Sequence, residues 1–208
     1  MKISGKILLV FLAFASLQSF KWAQQVDGWV YEQEKKGIKV FTKKGKWGQL
    51  RDSKAVMTVK NTPEQMLAFL TDFDHYNTWF ARCKKSKLLA RIGDNEYIVY
   101  LCFDAPWPAT DRDCVIRVKV VKDVTTGAIT VIQTSEPKYV KEEENVIRVQ
   151  QLISTWKLVP TATGTLVTNE YASNPGGSVP DWMVNTQSVE TPMTTFENLQ
   201  QKAVTAKH

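Results

Sequence analysis

Between residues 114 and 121 the even positions are apolar, Cys114, Ile116, Val118 and Val120, and the odd ones include Arg117 and Lys119. A period of two predicts a strand with one face in a core and the other in water. Runs of similar character at 38–43, 50–60, 86–92, 96–103, 128–135, 145–159 and 165–172 predict further strands; in the second of these, Ala55, Met57 and Val59 share one face. Turn residues at Gly93-Asp94-Asn95, 123–127 and 161–164 separate most of the later runs, so these strands are predicted to follow one another as an antiparallel meander.

Helical spacing occurs in four places. Residues 27–36, ended by Gly37, are predicted as a short helix, and Thr62-Pro63-Glu64 starts a second in which Met66, Leu67, Phe69 and Leu70 are spaced to pack on a sheet. Residues 72–80 (DFDHYNTWF) predict another short helix joined to it by a tight corner. The last and longest helix follows the strand-breaking Asn174-Pro175-Gly176-Gly177, with Ser178 as cap and Pro180 in its first turn, where no intrahelical N–H is needed. Trp182, Val189, Met193 and Phe196 share one of its faces, and Pro192 inside it predicts a kink. A one-sided sheet must cover its apolar face, and this helix is the obvious cover. The fold class expected is therefore α+β of the helix-grip kind: a curved antiparallel sheet wrapped around a long C-terminal helix, with two short helices after the second strand. A bent sheet around one helix leaves an elongated apolar cavity suited to a small hydrophobic ligand.

The start of the chain changes the domain picture. Lys2 and Lys6 precede an apolar run, 7–17, of about half the roughly 20 residues a membrane span needs. Residues 1–23 are read as a secretory signal, cut after Ala15 or after Ala23, and 24–208 as a single domain that is exported, periplasmic or secreted. The whole sequence carries 27 basic and 21 acidic residues. Without Lys2, Lys6 and Lys21 the balance is only mildly positive, which gives no reason to expect nucleic acid as a partner. The basic clusters at 35–46 and 84–87 suit solvated faces or contact with anionic headgroups. Cys83, Cys102 and Cys114 have no CxxC spacing; Cys102 and Cys114 either pair across neighbouring strands or stay as buried thiols. No GxSxG, HExxH or glycine-rich phosphate loop is present, so no metal or cofactor is predicted. His75, beside Asp72 and Asp74, reads as a surface or capping residue.

Three separated motifs resemble one family. DAPWPATDRDCVIRVKV (104–120) is similar to the proline-rich loop and Arg-Asp strand entry of START (StAR-related lipid transfer) domains. GWVYEQEKKGIKVFTK near the start resembles their first helix and strand, NPGGSVPDWMVN their final-helix entry, and DFDHYNTWF the second helix of the wider polyketide-cyclase-like group. The likeness spans about 27–199. It implies a carrier or sensor of a lipid held under the C-terminal helix, with loop 104–111 gating the mouth. A gate is a physical need, because each buried CH2 of a lipid is worth about 0.8 kcal/mol against water. Some sterol-binding members carry a buried Glu–Arg pair on adjacent strands; the matching positions here are Leu101 and Val118, which weakens a sterol reading.

The expected ligand-binding set is Ile116, Val118, Met183, Thr186, Val189, Glu190 and Met193, with ordinary core packing as the alternative for each. Asn185, Thr186 and Glu190 are candidates to hydrogen-bond a headgroup. Pro106, Trp107 and Pro108 form the expected mouth loop, with Trp107 either entering a membrane interface or packing back. Arg112 and Asp113 are read as structural, anchoring a loop to the sheet by ion pairs, with ligand contact as the alternative. The expected protein is a monomer that binds a lipid or other hydrophobic small molecule for transport or sensing, with transient membrane contact and no catalysis. The rival is a cyclase or aromatase using the same cavity, for which Glu190, Asp181, Tyr100 and Tyr171 are the acid–base candidates.

Overall fold

The computed structural model describes residues 28–48, 50–105, 107–178, 183 and 186–205. The expected signal segment 1–23, Pro106, and the helix-start residues Pro180, Asp181 and Trp182 lie outside them, as does Asn185. In chain order come strands β1 (Val30–Lys35), β2 (Ile38–Lys43) and β3 (Asp52–Val59), helix α1 (Pro63–Thr71), and a 3-10 segment (Phe73–Thr78). Strands β4 (Cys83–Gly93), β5 (Glu96–Phe103), β6 (Arg112–Lys122), β7 (Ile129–Ser135), β8 (Ile147–Arg148), β9 (Gln151–Thr161) and β10 (Gly164–Asn174) follow. A π-helical turn (Thr186–Glu190) then leads into helix α2 (Thr191–Thr205).

Among the described residues ten strands make one sheet, ordered β1-β2-β3-β10-β9-β7-β6-β5-β4. Every neighbouring pair on that path is antiparallel, and β8 lies off it, parallel to the start of β6. The expected meander and helical cover are present, and the architecture is the helix-grip α+β fold.

Three expectations need correction. Residues 30–35 are a strand, not the predicted first helix. Lys36 (φ 53°) and Gly37 (φ 76°) both adopt the left-handed conformation and turn the chain straight back, so that Lys35 pairs with Ile38 and Val30 with Thr42. The glycine that reads as a helix stop is the second residue of a hairpin turn. The two short helical segments consequently follow the third strand, not the second. The predicted strand 145–159 is two: Ile147 N–H donates to Asp111 O at 2.9 Å and Val149 N–H to Asp113 O at 2.8 Å, before the chain moves across to pair with β7 and β10.

The inner face of β6 holds Cys114, Ile116, Val118 and Val120 in the main core, as its period of two predicts. The outer face is not all solvated, however. Val115 packs with Ile98, Tyr100 and Cys102 in a second buried cluster, covered by Val140 and Val146. All three thiols are free and buried. Leu101 faces Cys114 across the strands and Cys102 faces Asp113, so Cys102 and Cys114 lie on opposite faces and cannot bridge. Leu101 and Val118 are likewise not opposed, since Val118 pairs with Tyr97.

Both helices close the inner face. At α1, Thr62 Oγ1 accepts from Gln65 N–H (3.3 Å) while Gln65 Oε1 accepts from Thr62 N–H (2.9 Å), and Met66 and Leu70 are buried beneath. Helix α2 lays Phe196 flat on Trp156, centroids 5.4 Å apart and planes within 10°. Such a pair adds about 0.5–1.5 kcal/mol beyond area burial. Polar ties fix its height over the sheet: Asn61 Nδ2 donates to Ala203 O (3.2 Å), Asn198 Nδ2 to Trp79 O (3.0 Å), and Thr195 Oγ1 accepts from Ala81 N–H (3.2 Å). Pro192 has no N–H to give the preceding turn, and the helix is of π geometry over Thr186–Glu190, directly before it.

Candidate functional site: a cavity under the C-terminal helix

Between the sheet and α2 lies a cavity of about 120 Å³. Strand alternation stacks its wall in levels. Nearest the mouth stand Phe103, Arg112, Leu152 and Ser173; behind them come Leu101, Cys114, Ser154 and Tyr171; deepest are Ile116, Gln133 and Asn169. Gln187, Thr191, Pro192, Thr195 and Phe196 form the helical wall, and Phe80, Ala81 and Arg82 the side where the 3-10 segment ends. At the mouth Ala109 packs on Leu50 and Met183, a small cluster separate from the main core.

The lining is mostly apolar, with a few polar groups at every level. At the deep end Asn169 Nδ2 donates to Ser154 Oγ (2.8 Å), while the Gln133 amide lies against the Tyr76 hydroxyl. At the mouth Arg112 is only 8% exposed; its Nη1 donates to Thr110 O and its Nε is unpartnered. Burial pushes the Tyr171 phenol up to about 12, with the Ser173 hydroxyl opposing, so the phenol stays protonated at neutral pH and can donate a hydrogen bond but is a poor base.

The expected ligand set divides. Ile116 and Met183 line the cavity. Val118, Val189 and Met193 are buried in the packed core without reaching it. Thr186 is half-buried and Glu190 exposed, and neither lines it. The helical face over the void is 187, 191 and 195, not the face carrying Val189 and Met193. Of the mouth residues, Trp107 is 91% exposed, and neither it nor Pro108 lines the space, although Asp104 and Ala105 do. Arg112 and Asp113 do not act as one anchor, because consecutive strand residues point to opposite faces. Asp113 turns outward to Arg148, with Arg148 Nε–Asp113 Oδ1 at 2.7 Å and Nη2–Oδ2 at 2.8 Å, while Arg112 turns into the cavity. Of the acid–base candidates, Tyr171 lines the cavity, Tyr100 sits in the outer cluster and Asp181 is outside the described residues.

Residues missed from sequence include Gln133, Ser154, Asn169 and Ser173. For two of them a signal was available: Gln133 follows Ile129 and Val131 at inward parity on β7, and Ser154 stands between Leu152 and Trp156 on β9, whereas the inward face of β10 alternates polar and apolar residues and marks neither Asn169 nor Ser173.

This geometry, a large curved sheet gripping one helix over an internal cavity, defines the helix-grip class. The chain belongs to the family described as polyketide cyclase / dehydrase and lipid transport, whose profile matches residues 59–192, and its domain is of the START type. It is similar to a STAR-related lipid transfer protein from Xanthomonas axonopodis, with a TM-score of 0.79 and 32% identity over 86% of this chain and 99% of that structure. An uncharacterized protein of Pseudomonas aeruginosa is 31% identical over 178 residues, 85% of this chain and 87% of that protein. Human phosphatidylcholine transfer protein is 28% identical over 163 residues, covering 76% of this chain and 75% of the human protein.

Proposed function

We propose that this protein binds a lipid or other hydrophobic small molecule in the cavity under α2 and carries it between membranes after export. The observation that carries the reading is the mostly apolar space between the sheet and the helix, with a few polar side chains in its wall. The likeness to proteins named for lipid transfer supports it. At about 120 Å³ the space is smaller than a cavity of about 150 Å³ that takes up one benzene, so loading requires the mouth to widen. The contacts that close the mouth suit such a movement: Leu50, Met183 and Ala109 form a small cluster of their own. The exposed Trp107 beside this mouth has the amphipathic ring that settles at a membrane interface, and we assign it the docking step.

Catalysis is not part of this reading. The described acid–base candidate that lines the cavity is Tyr171, and burial raises its pKa away from the neutral range that general acid–base work favours. The test is transfer of labelled phosphatidylcholine and labelled fatty acid between donor and acceptor vesicles, followed by extraction. The protein is expected to move at least one of them chemically unchanged; a converted product, or no transfer of any lipid offered, would remove the carrier reading.

A further inference from the structure

We propose that Arg112 is an oxyanion-binding residue at the cavity mouth and that the cargo is an amphiphile with an acidic headgroup. This deepens the lipid-carrier reading and rests on it. Among the described residues around the mouth the cations and carboxylates are matched, with one exception. Arg82 pairs with Asp104 at 2.9 Å, Lys84 with Asp111 at 2.7 Å and Arg148 with Asp113 at 2.7 Å. Among the described residues no carboxylate lies within 4.0 Å of the Arg112 guanidinium, although Asp111 and Asp113 are its immediate neighbours in the chain.

A buried charge without a counter-ion is costly, and a buried N–H without an acceptor adds to that cost. Arg112 carries both, since it is 8% exposed and its Nε makes no hydrogen bond. Its pKa is lowered by burial, opposed by the charge of Asp111, the direction expected of a cation short of counter-charge. The chain that passes beside it is glycine and packs closely on Ile147. Gly176 (φ 69°) and Gly177 (φ 64°) pass the fork in the left-handed conformation, and a Cβ on Gly177 would stand 3.1 Å from Ile147 Cδ1 and 4.0 Å from Arg112 Nη2. Leu101, Cys114 and Ile116 continue the wall inward from the level of Arg112, so an acyl chain can follow an oxyanion held here into the apolar space. A carboxylate or phosphate matches a guanidinium both in charge and in the geometry of its paired oxygens, whereas a neutral hydroxyl offers an acceptor and leaves the charge unpaired.

The experiment compares uptake from phosphatidylcholine vesicles doped with oleate, oleyl alcohol or dioleoyl phosphatidic acid, measured as labelled amphiphile co-eluting with the full chain on gel filtration. The expected result is at least about tenfold more uptake of an acidic amphiphile than of the alcohol, the scale of a charge-assisted contact. Preference for oleate alone assigns a carboxylate, and preference for phosphatidic acid alone assigns a phosphate. Arg112→Gln is expected to bring acidic uptake down to the level of the alcohol, and Arg112→Lys to keep part of the preference. Equal uptake of alcohol and acids by the unaltered protein overturns the Arg112 proposal while leaving the carrier reading standing. Uptake of none of the amphiphiles overturns both. The comparison among ligands requires no variant, so a poorly folding Arg112→Gln does not weaken it.

Discussion

Arg148 and Arg112 stand close together at one end of the sheet, and their surroundings differ in the way that separates structure from function. β8 runs parallel to the start of β6, placing Arg148 opposite Asp113 and Ile147 opposite Arg112. Arg148 and Asp113 have side chains only 1% exposed, and the guanidinium meets the carboxylate with two hydrogen bonds. Its remaining donors go to Pro137 O (2.8 Å) and Val140 O (3.1 Å), which pins the covering loop over the outer cluster. Arg112, nearly as buried, has one backbone acceptor and an idle Nε, and its side chain lines the cavity. A buried cation with all its partners in the fold holds the fold together. One whose partners are missing, beside a cavity, points to a partner that comes from outside.

Breaking the Arg148 side should give the largest effect. Asp113→Ala leaves a buried guanidinium unpaired and is expected to cost about 3–5 kcal/mol, read as a lowered urea midpoint, with faster amide exchange over residues 137–146. Arg112→Met is expected to do the opposite: it removes an unpaired buried charge and should change stability by less than about 1 kcal/mol or raise it, while Arg148→Met destabilises. Equal losses from the two arginine variants would erase the distinction. Filling the void tests the site independently of charge. Leu101→Trp projects into the cavity and should abolish lipid uptake from a folded protein, whereas Val118→Trp overpacks a core without space and should cost about 1–3 kcal/mol. Giving Arg112 an internal partner sharpens the comparison further. Phe103 is its cross-strand neighbour, and Phe103→Glu should cut uptake of acidic amphiphiles about tenfold by occupying the guanidinium, seen in the same gel-filtration assay.

The smallest effect lies at the surface pair beside them. Lys84, followed by the Ala105 backbone N–H, holds the Asp111 carboxyl below its ordinary range. A carboxylate depressed in the folded state stabilises above its unfolded pKa and loses that contribution as pH falls through the folded value. Lys84→Ala should therefore move the Asp111 titration, followed by NMR of its side-chain carbon, upward toward an ordinary aspartate, with a small loss of stability at neutral pH that fades as pH falls through the folded-state titration.

How far the chain discloses this arrangement depends on the kind of signal. The strands are written as a period of two, and β5 (Glu96–Phe103) falls on its predicted bounds because every residue from Tyr97 to Cys102 is buried. The helix at Thr62-Pro63 is written in its cap. Residues 30–35 mislead because Lys36-Gly37 serves equally as a helix stop or a hairpin turn, and only pairing with Ile38–Lys43 decides between them. The cavity is harder still. Apolar side chains on the last helix mark where it meets packed core, at Val189 and Met193, whereas the void lies under Gln187, Thr191 and Thr195. A search for an apolar stripe therefore finds Phe196 at the cavity but misses Gln187, Thr191 and Thr195. The Arg-Asp dipeptide is visible in sequence, but the division of labour within it follows from which residue of a strand faces in, and from Arg148 arriving from 35 positions away to claim Asp113.

The most direct test of a lipid held under the last helix is native mass spectrometry of the protein isolated from its natural source, beside Leu101→Trp isolated in the same way. One amphiphile at close to one per chain on the unaltered protein, and none on the variant, is the predicted result; extraction would then name the cargo. A bare mass for both proteins, or equal loading of both, would contradict the cavity as the place where this protein does its work.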